Sequence, residues 1–186
     1  MKTKDVTQVL KSLGWSIRTD EVGDKVAYYK LPDRTVCTIY GIRNFSDDQQ
    51  LDGTLSLSTD AFSKACFTIR DRGSRYADLA TLWNGWKISA PEITEAHVHQ
   101  ASEACITWAK AQDLNAALQE KIALPTSAPG TAPVLHLGAL VVAGDIEKLK
   151  SYQASFAAGD RLGFAPYITR DYIDRAVALA EEYRDS

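Results

Sequence analysis

Little in this sequence is arranged for obvious chemistry. Its three cysteines, Cys37, Cys66 and Cys105, are an odd number without CxxC or metal-like spacing, which points to reduced, packed thiols rather than a disulfide framework. The three histidines are no better placed for a metal. His97 and His99, two apart, point to different sides of a helix, and no second Cys/His pair stands at ligand spacing, so neither a metal nor a cofactor is expected. A Walker loop, GxGxxG, GxSxG and HExxH are all missing, which lowers the expectation of an enzyme without removing it.

Long apolar runs are missing as well. No stretch approaches the roughly 20 apolar residues of a membrane span. The opening MKTKDVTQVL reaches polar residues before any run long enough for a signal-peptide core, so a cytoplasmic protein is expected. Excess positive charge is absent too: a net charge of -3 argues mildly against nucleic acid or an anionic membrane as the main partner, and permits an interface with a basic protein without demanding one. No repeat of fixed period is present.

What the sequence does have is an ordinary globular composition, 45% hydrophobic and 24% charged over 186 residues, enough for one domain with a helical subdomain. Helix punctuation is clearest from Thr131 to Tyr183. Thr131 is placed to cap a helix with Pro133 in its first turn, apolar residues on nearly every side and Gly144 closing it. Such a helix is a buried one. Asp145 opens a second, with Ile146, Leu149, Tyr152 and Phe156 at helical spacing, and Thr169 a third, with Asp171 in its first turn and Ile173, Ala176, Val177, Ala180 and Tyr183 inward.

Nearer the N-terminus, Val6, Val9, Leu10 and Leu13 form one face of a helix after Thr3; Gly14 ends it and Trp15 folds back on Leu10. Two runs rich in β-branched and aromatic residues, 25–31 and 35–42, flank Pro32-Asp33 as a hairpin, and Leu55 and Leu57 mark a strand over 52–58. Ser58-Thr59-Asp60 signals a helix start, with Ala61, Phe62, Ala65, Cys66 and Ile69 at helical spacing, although residues 66–69 also fit a strand. Leu79, Leu82 and Trp83 suggest helical turns, Asn84-Gly85 a tight turn and 86–88 a short strand. Ser89 to Glu92 reads as a capping box. It would open a long helix with Ile93, His97, Ala101, Ala104, Cys105 and Trp108 on one stripe, restarted at Asp113. The fold class is therefore α+β. An antiparallel sheet of three to five strands is packed by an N-terminal and a long central helix within 1–124; a Pro-rich linker, 125–133, leads to a C-terminal three-helix region, 134–186.

Candidate functional residues fall into five groups. Cys105 and His97 share a face, but their eight-residue offset puts them roughly 12 Å apart along a helix, too far to form a nucleophile pair. His136, inside the all-apolar helix, reads as a core histidine satisfied by a hydrogen bond. Arg70, Arg72 and Arg75 around Gly73 suit a phosphate or carboxylate, as guanidinium forks do, against the commoner reading of a solvated loop. Trp83 and Trp86 flank Asn84-Gly85. Aromatics of this kind anchor interfaces, although near a turn they more often plug the end of a core. The acidic residues Asp20, Glu21 and Asp24, and Asp47, Asp48 and Asp52, would steer a basic partner if the fold brings them together.

The segment Gly138 to Ala176, with ALVVAGDIEKLKSY and then GFAPYITRDYIDRA, resembles the helical portion of small bacterial proteins of unknown function, some of which resemble immunity proteins that neutralise a cognate toxin. It covers about a fifth of the chain. The order helix, three strands, helix is also similar in topology to secretion chaperones of effector proteins. Acidity, size, the missing motifs and the aromatic pair point to a non-enzymatic protein-binding module, and the first likeness implies an immunity protein that blocks a toxin by occlusion. Trp83 and Trp86 would be its anchors and Asp47, Asp48 and Asp52 its rim. A chaperone of a secreted effector is the alternative. A small enzyme or anion binder, with a pocket between sheet and C-terminal helices and using Arg70, Arg72 or Arg75, is the third reading.

Overall fold

The computed structural model describes residues 1–185. In chain order the elements are α1 (Thr3–Ser12), β1 (Ser16–Thr19), β2 (Lys25–Lys30), β3 (Thr35–Asn44), β4 (Gln49–Ser58), α2 (Asp60–Arg70), β5 (Ala80–Ala90), α3 (Glu95–Ala111), α4 (Leu114–Ile122), α5 (Ala132–Ala143), α6 (Ile146–Ala157) and α7 (Arg170–Arg184). The fold is α+β with one five-stranded antiparallel sheet in the order β1-β2-β3-β4-β5. Among the described residues no helix is long and apolar enough to cross a membrane.

The chain divides into two compact units. The first comprises Met1–Leu57 and Ala80–Gln112, that is α1, the sheet and α3. Gly14, at φ 90°, supplies the left-handed residue that ends α1. The Trp15 N–H then donates to the Leu10 carbonyl at 3.0 Å, closing the helix in the manner its sequence announces. The Trp15 indole is 3% exposed and its Nε1–H donates to Ser102 Oγ on α3 at 2.8 Å, so the end of α1 also fixes how α1 lies on α3. Val6 and Leu10 from α1, Leu51 from β4, and Val98, Ala101 and Cys105 from α3 form the core between them.

A residue that the sequence does not single out holds the far end of α3. Arg34, in the β2–β3 turn, donates through Nη1 to the carbonyls of Ala109 and Gln112, both at 2.8 Å. Its Nη2 pairs with Asp33 at 2.7 Å. A guanidinium is suited to a helix C-terminus, where carbonyls lack partners and the dipole is negative.

Three local expectations in this unit are corrected. Residues 79–83 are not helical turns, and Asn84-Gly85 is not a turn between elements; from Ala80 on, all belong to the 11-residue strand β5. Pairing with β4 outweighs the i, i+3, i+4 spacing of Leu79, Leu82 and Trp83. Ser89 likewise lies in β5, and α3 starts after Thr94, whose backbone N–H donates to His97 Nδ1 at 3.0 Å. Gln49 Oε1 accepts the Ile93 N–H at 2.9 Å and so sets the approach to that helix.

The second unit comprises Ser58–Leu79 and the chain from Asp113 onward, that is α2 and α4 to α7. Its centre is α5, buried along Val134, His136, Leu137, Ala139, Leu140 and Val141, as an all-apolar helix requires. α2, α4, α6 and α7 all pack on it. A Cβ at Gly138 would lie 2.5 Å from Cys66 Sγ, so only glycine lets α2 and α5 approach this closely. The helices expected from Thr131 onward are α5, α6 and α7, but they share their core with α2 and α4. Residues 66–69 are helical. Thr131 adopts a helical conformation and its side chain makes no cap bond, whereas Asp145 caps α6 by accepting the Lys148 N–H. Residues 125–131 lie within this unit and are tied down. Ala128 is buried, Thr126 Oγ1 donates to the Leu162 carbonyl and the Tyr167 hydroxyl to that of Gly130.

Candidate functional site: the β5 bulge and its groove

In the β4–β5 ladder, Leu55 faces Leu82 and Gly53 faces Trp86, so Thr54 alone stands opposite Trp83, Asn84 and Gly85. Excess residues on one strand form a bulge, which twists and bends that strand outward. Two glycines make it possible. Gly85 has φ 61°, and a Cβ there would sit 2.4 Å from the Gly53 carbonyl oxygen. A Cβ at Gly53 would lie 2.5 Å from the Ile39 carbonyl oxygen and 3.1 Å from Trp86 Cε2. The backbones therefore meet where a side chain would keep them apart.

The bulge separates the two tryptophans that the sequence offers as a pair. Trp86 turns inward: its Nε1–H donates to Thr38 Oγ1 at 3.0 Å, and that hydroxyl donates to the Thr54 carbonyl at 2.6 Å. This chain ties β3, β4 and β5 together just below the bulge. Trp83 turns outward and is 89% exposed. Trp86 is the structural residue and Trp83 the displayed one.

Around Trp83 lies an open groove of about 560 Å³, into which Asp24, Ile39, Arg43, Asp52 and Lys87 also project. Arg43 Nη2 pairs with Asp52 Oδ2 at 2.9 Å. Lys87 stands directly opposite Asp52 in the β4–β5 register. The rim is thus mixed in charge rather than acidic. Of the acidic residues singled out in the sequence, Asp24 and Asp52 reach the groove. Asp47 and Asp48 do not line it; they sit in the β3–β4 turn, where the Asp48 carbonyl accepts the Phe45 N–H at 2.8 Å. Asp20 Oδ1 accepts the N–H groups of Val22 and Asp24, at 3.0 and 2.8 Å, and so shapes the β1–β2 turn. Glu21 in the same turn is exposed. Arg43, Lys87 and Ile39 were not legible as site residues, because only the register of three strands brings them together.

The other candidates are placed as follows. Arg70 Nη2 donates to the Ser74 carbonyl at 2.7 Å, Arg75 lies 5.3 Å over the Phe67 ring and Arg72 is exposed, so Arg70 and Arg75 brace their own loop and helix. His97 serves the start of α3, and His99 lies 3.6 Å from Glu95 on the same helix. His136 is buried, with Nε2 3.0 Å from the Tyr152 hydroxyl and Nδ1 3.3 Å from the Lys121 carbonyl. Burial holds its pKa below the ordinary value, against a raising effect from the Lys121 carbonyl. Cys37, Cys66 and Cys105 are all buried free thiols, and burial pushes Cys66 and Cys105 up to about 12, far from the range of a reactive thiolate. Among the described residues no group of three or more His, Cys, Asp or Glu is placed to hold a metal ion.

The model of a family of unknown function (DUF6990) matches residues 2–181. No curated protein and no solved structure matches.

Proposed function

We propose that this chain, which belongs to the family of unknown function DUF6990, is a non-enzymatic protein-binding module that acts in the cytoplasm and blocks its partner by occlusion. The observation that carries this reading is Trp83. An indole 89% exposed on a bulge that requires two glycines is a rigid, largely apolar anchor held away from its own core. Aromatic anchors that become buried on binding dominate protein interfaces, because they carry much apolar area at low entropic cost. Asp24, Asp52, Arg43 and Lys87 provide a polar rim that sets register and excludes ill-matched partners. The resemblance of residues 138–176 to immunity-type proteins supports a bacterial toxin as that partner.

The test compares tagged wild-type protein with Trp83→Ala, each expressed in the native host and purified without crosslinking. A stoichiometric protein partner is expected with the wild type. Its affinity for the variant should fall by about 30-fold or more, the fold-change of a hot-spot truncation. Because the indole is exposed, thermal stability should move by no more than about 0.5 kcal/mol. Identical recovery of the same proteins by both forms would refute the reading.

A further inference from the structure

The groove reaches the edge of the sheet, where β5 lines it and has no further strand beside it. β5 is an edge strand of the sheet, and at 11 residues it is far longer than the opposite edge, β1, at 4. None of its residues is buried, whereas β4 buries five of its ten. In an antiparallel pair, alternate residues turn their N–H and C=O groups away from the neighbour, so an edge strand presents a row of such groups to solvent. The bulge at 83–85 ends this row on one side and leaves Trp86–Ala90 as a straight run paired to β4 from Gly53 to Gln49.

The outer face at this edge carries an alternation of charge across the strands. Arg43 on β3 pairs with Asp52 on β4 at 2.9 Å, and Lys87 on β5 stands opposite Asp52. Among the described residues no hydrogen bond or ion pair engages the Lys87 ammonium. The next place in the sequence of positive, negative, positive is an acid on a further strand. Like charges directly opposite destabilise a strand pair and unlike charges support it. A lysine on an edge therefore turns away neutral or basic strands and admits an acidic one.

We infer that the partner of the proposed binding module docks by strand addition: an extended, acidic segment of another protein pairs with Trp86–Ala90 of β5, placing a carboxylate against Lys87 and an apolar side chain against Trp83. This rests on the protein-binding reading and specifies how the same site is used. Main-chain hydrogen bonds supply the affinity and the Lys87 contact supplies the selection.

Linear peptides are selected from a random displayed library on the intact protein, and their binding is followed by backbone amide resonances. Selected peptides are expected to alternate apolar and polar residues, to carry an acid and to shift the signals of residues 86–90. N-methylation of alternate peptide amides should abolish binding, since it removes the ladder donors while leaving the protein unaltered. Lys87→Glu should lower affinity for the acidic peptides by about tenfold and select basic ones instead. Failure to recover any binder, tolerance of N-methylation, or shifts confined to other elements would overturn the inference. A native partner that is lost with Trp83→Ala yet indifferent to Lys87→Glu would overturn strand addition while leaving the binding module intact. Indifference to Trp83→Ala would remove the binding reading itself.

Discussion

His136 shows how a polar residue survives in the most apolar helix of the chain. Both ring nitrogens have partners, the Tyr152 hydroxyl and the Lys121 carbonyl, and burial disfavours the imidazolium. The sequence marked His136 and Tyr152 as core residues; that they would meet was not legible, because the pairing depends on how α6 crosses α5. The linkage has a definite sign. With the folded pKa below the ordinary 6.5, the unfolded chain binds the proton more readily, so this contribution to stability is full above about pH 6.5. It is lost progressively as pH falls from there toward the folded pKa. Urea midpoints measured from pH 7.5 downward should therefore decline below about 6.5, and His136→Gln, though less stable overall, should show a shallower decline. Equal slopes for both proteins would show that other groups govern the acid limb.

At the scale of elements, two short devices hold the first unit. Gly53 and Gly85 form the bulge. Gly53→Ala places a Cβ against the Ile39 carbonyl and is expected to cost about 2 kcal/mol in denaturant unfolding, as overpacked sites do. Gly41→Ala on the neighbouring strand meets nothing within 4 Å and should be close to neutral. Arg34, 12% exposed, joins the β2–β3 turn to the end of α3 through two carbonyls. Arg34→Ala should cost about 2 kcal/mol by the same measurement, the range for hydrogen bonds to a charged group. Arg34→Lys should recover little of it, since an ammonium does not reproduce the planar fork. Periodicity made α1, β2, β3, α5, α6 and α7 readable because each carries its own start or stop signal. β5 misled because a long strand with a bulge brings apolar residues to the spacing of a helix, and only its pairing with β4 distinguishes the two. The displayed tryptophan was therefore visible in the sequence, while the residues around it were not.

For the whole molecule, the cysteines provide a global reporter. All three are buried, one in each of β3, α2 and α3, so they sample both units. In the native protein at pH 8 an aromatic disulfide reagent should label less than about one thiol in minutes, and all three once denaturant is added. Rapid labelling of one native thiol would mean that its element opens locally, below the global unfolding free energy. Periodicity and the helix start and stop signals made the α+β class readable but not the division of the chain, because α2 leaves its sequence neighbours to pack on α5 and α4 parts from α3 to join it.

That division means neither unit is a continuous stretch of chain: one takes 1–57 and 80–112, the other 58–79 and everything from 113 on. A nascent polypeptide leaving the ribosome can finish the sheet and α3 well before α5 emerges. Until then α2 has Phe62, Ala65, Cys66 and Ile69 without the surface that covers them. Cutting the gene between the units would strand the same face for good, so the polypeptide has to be made, inherited and engineered in one piece.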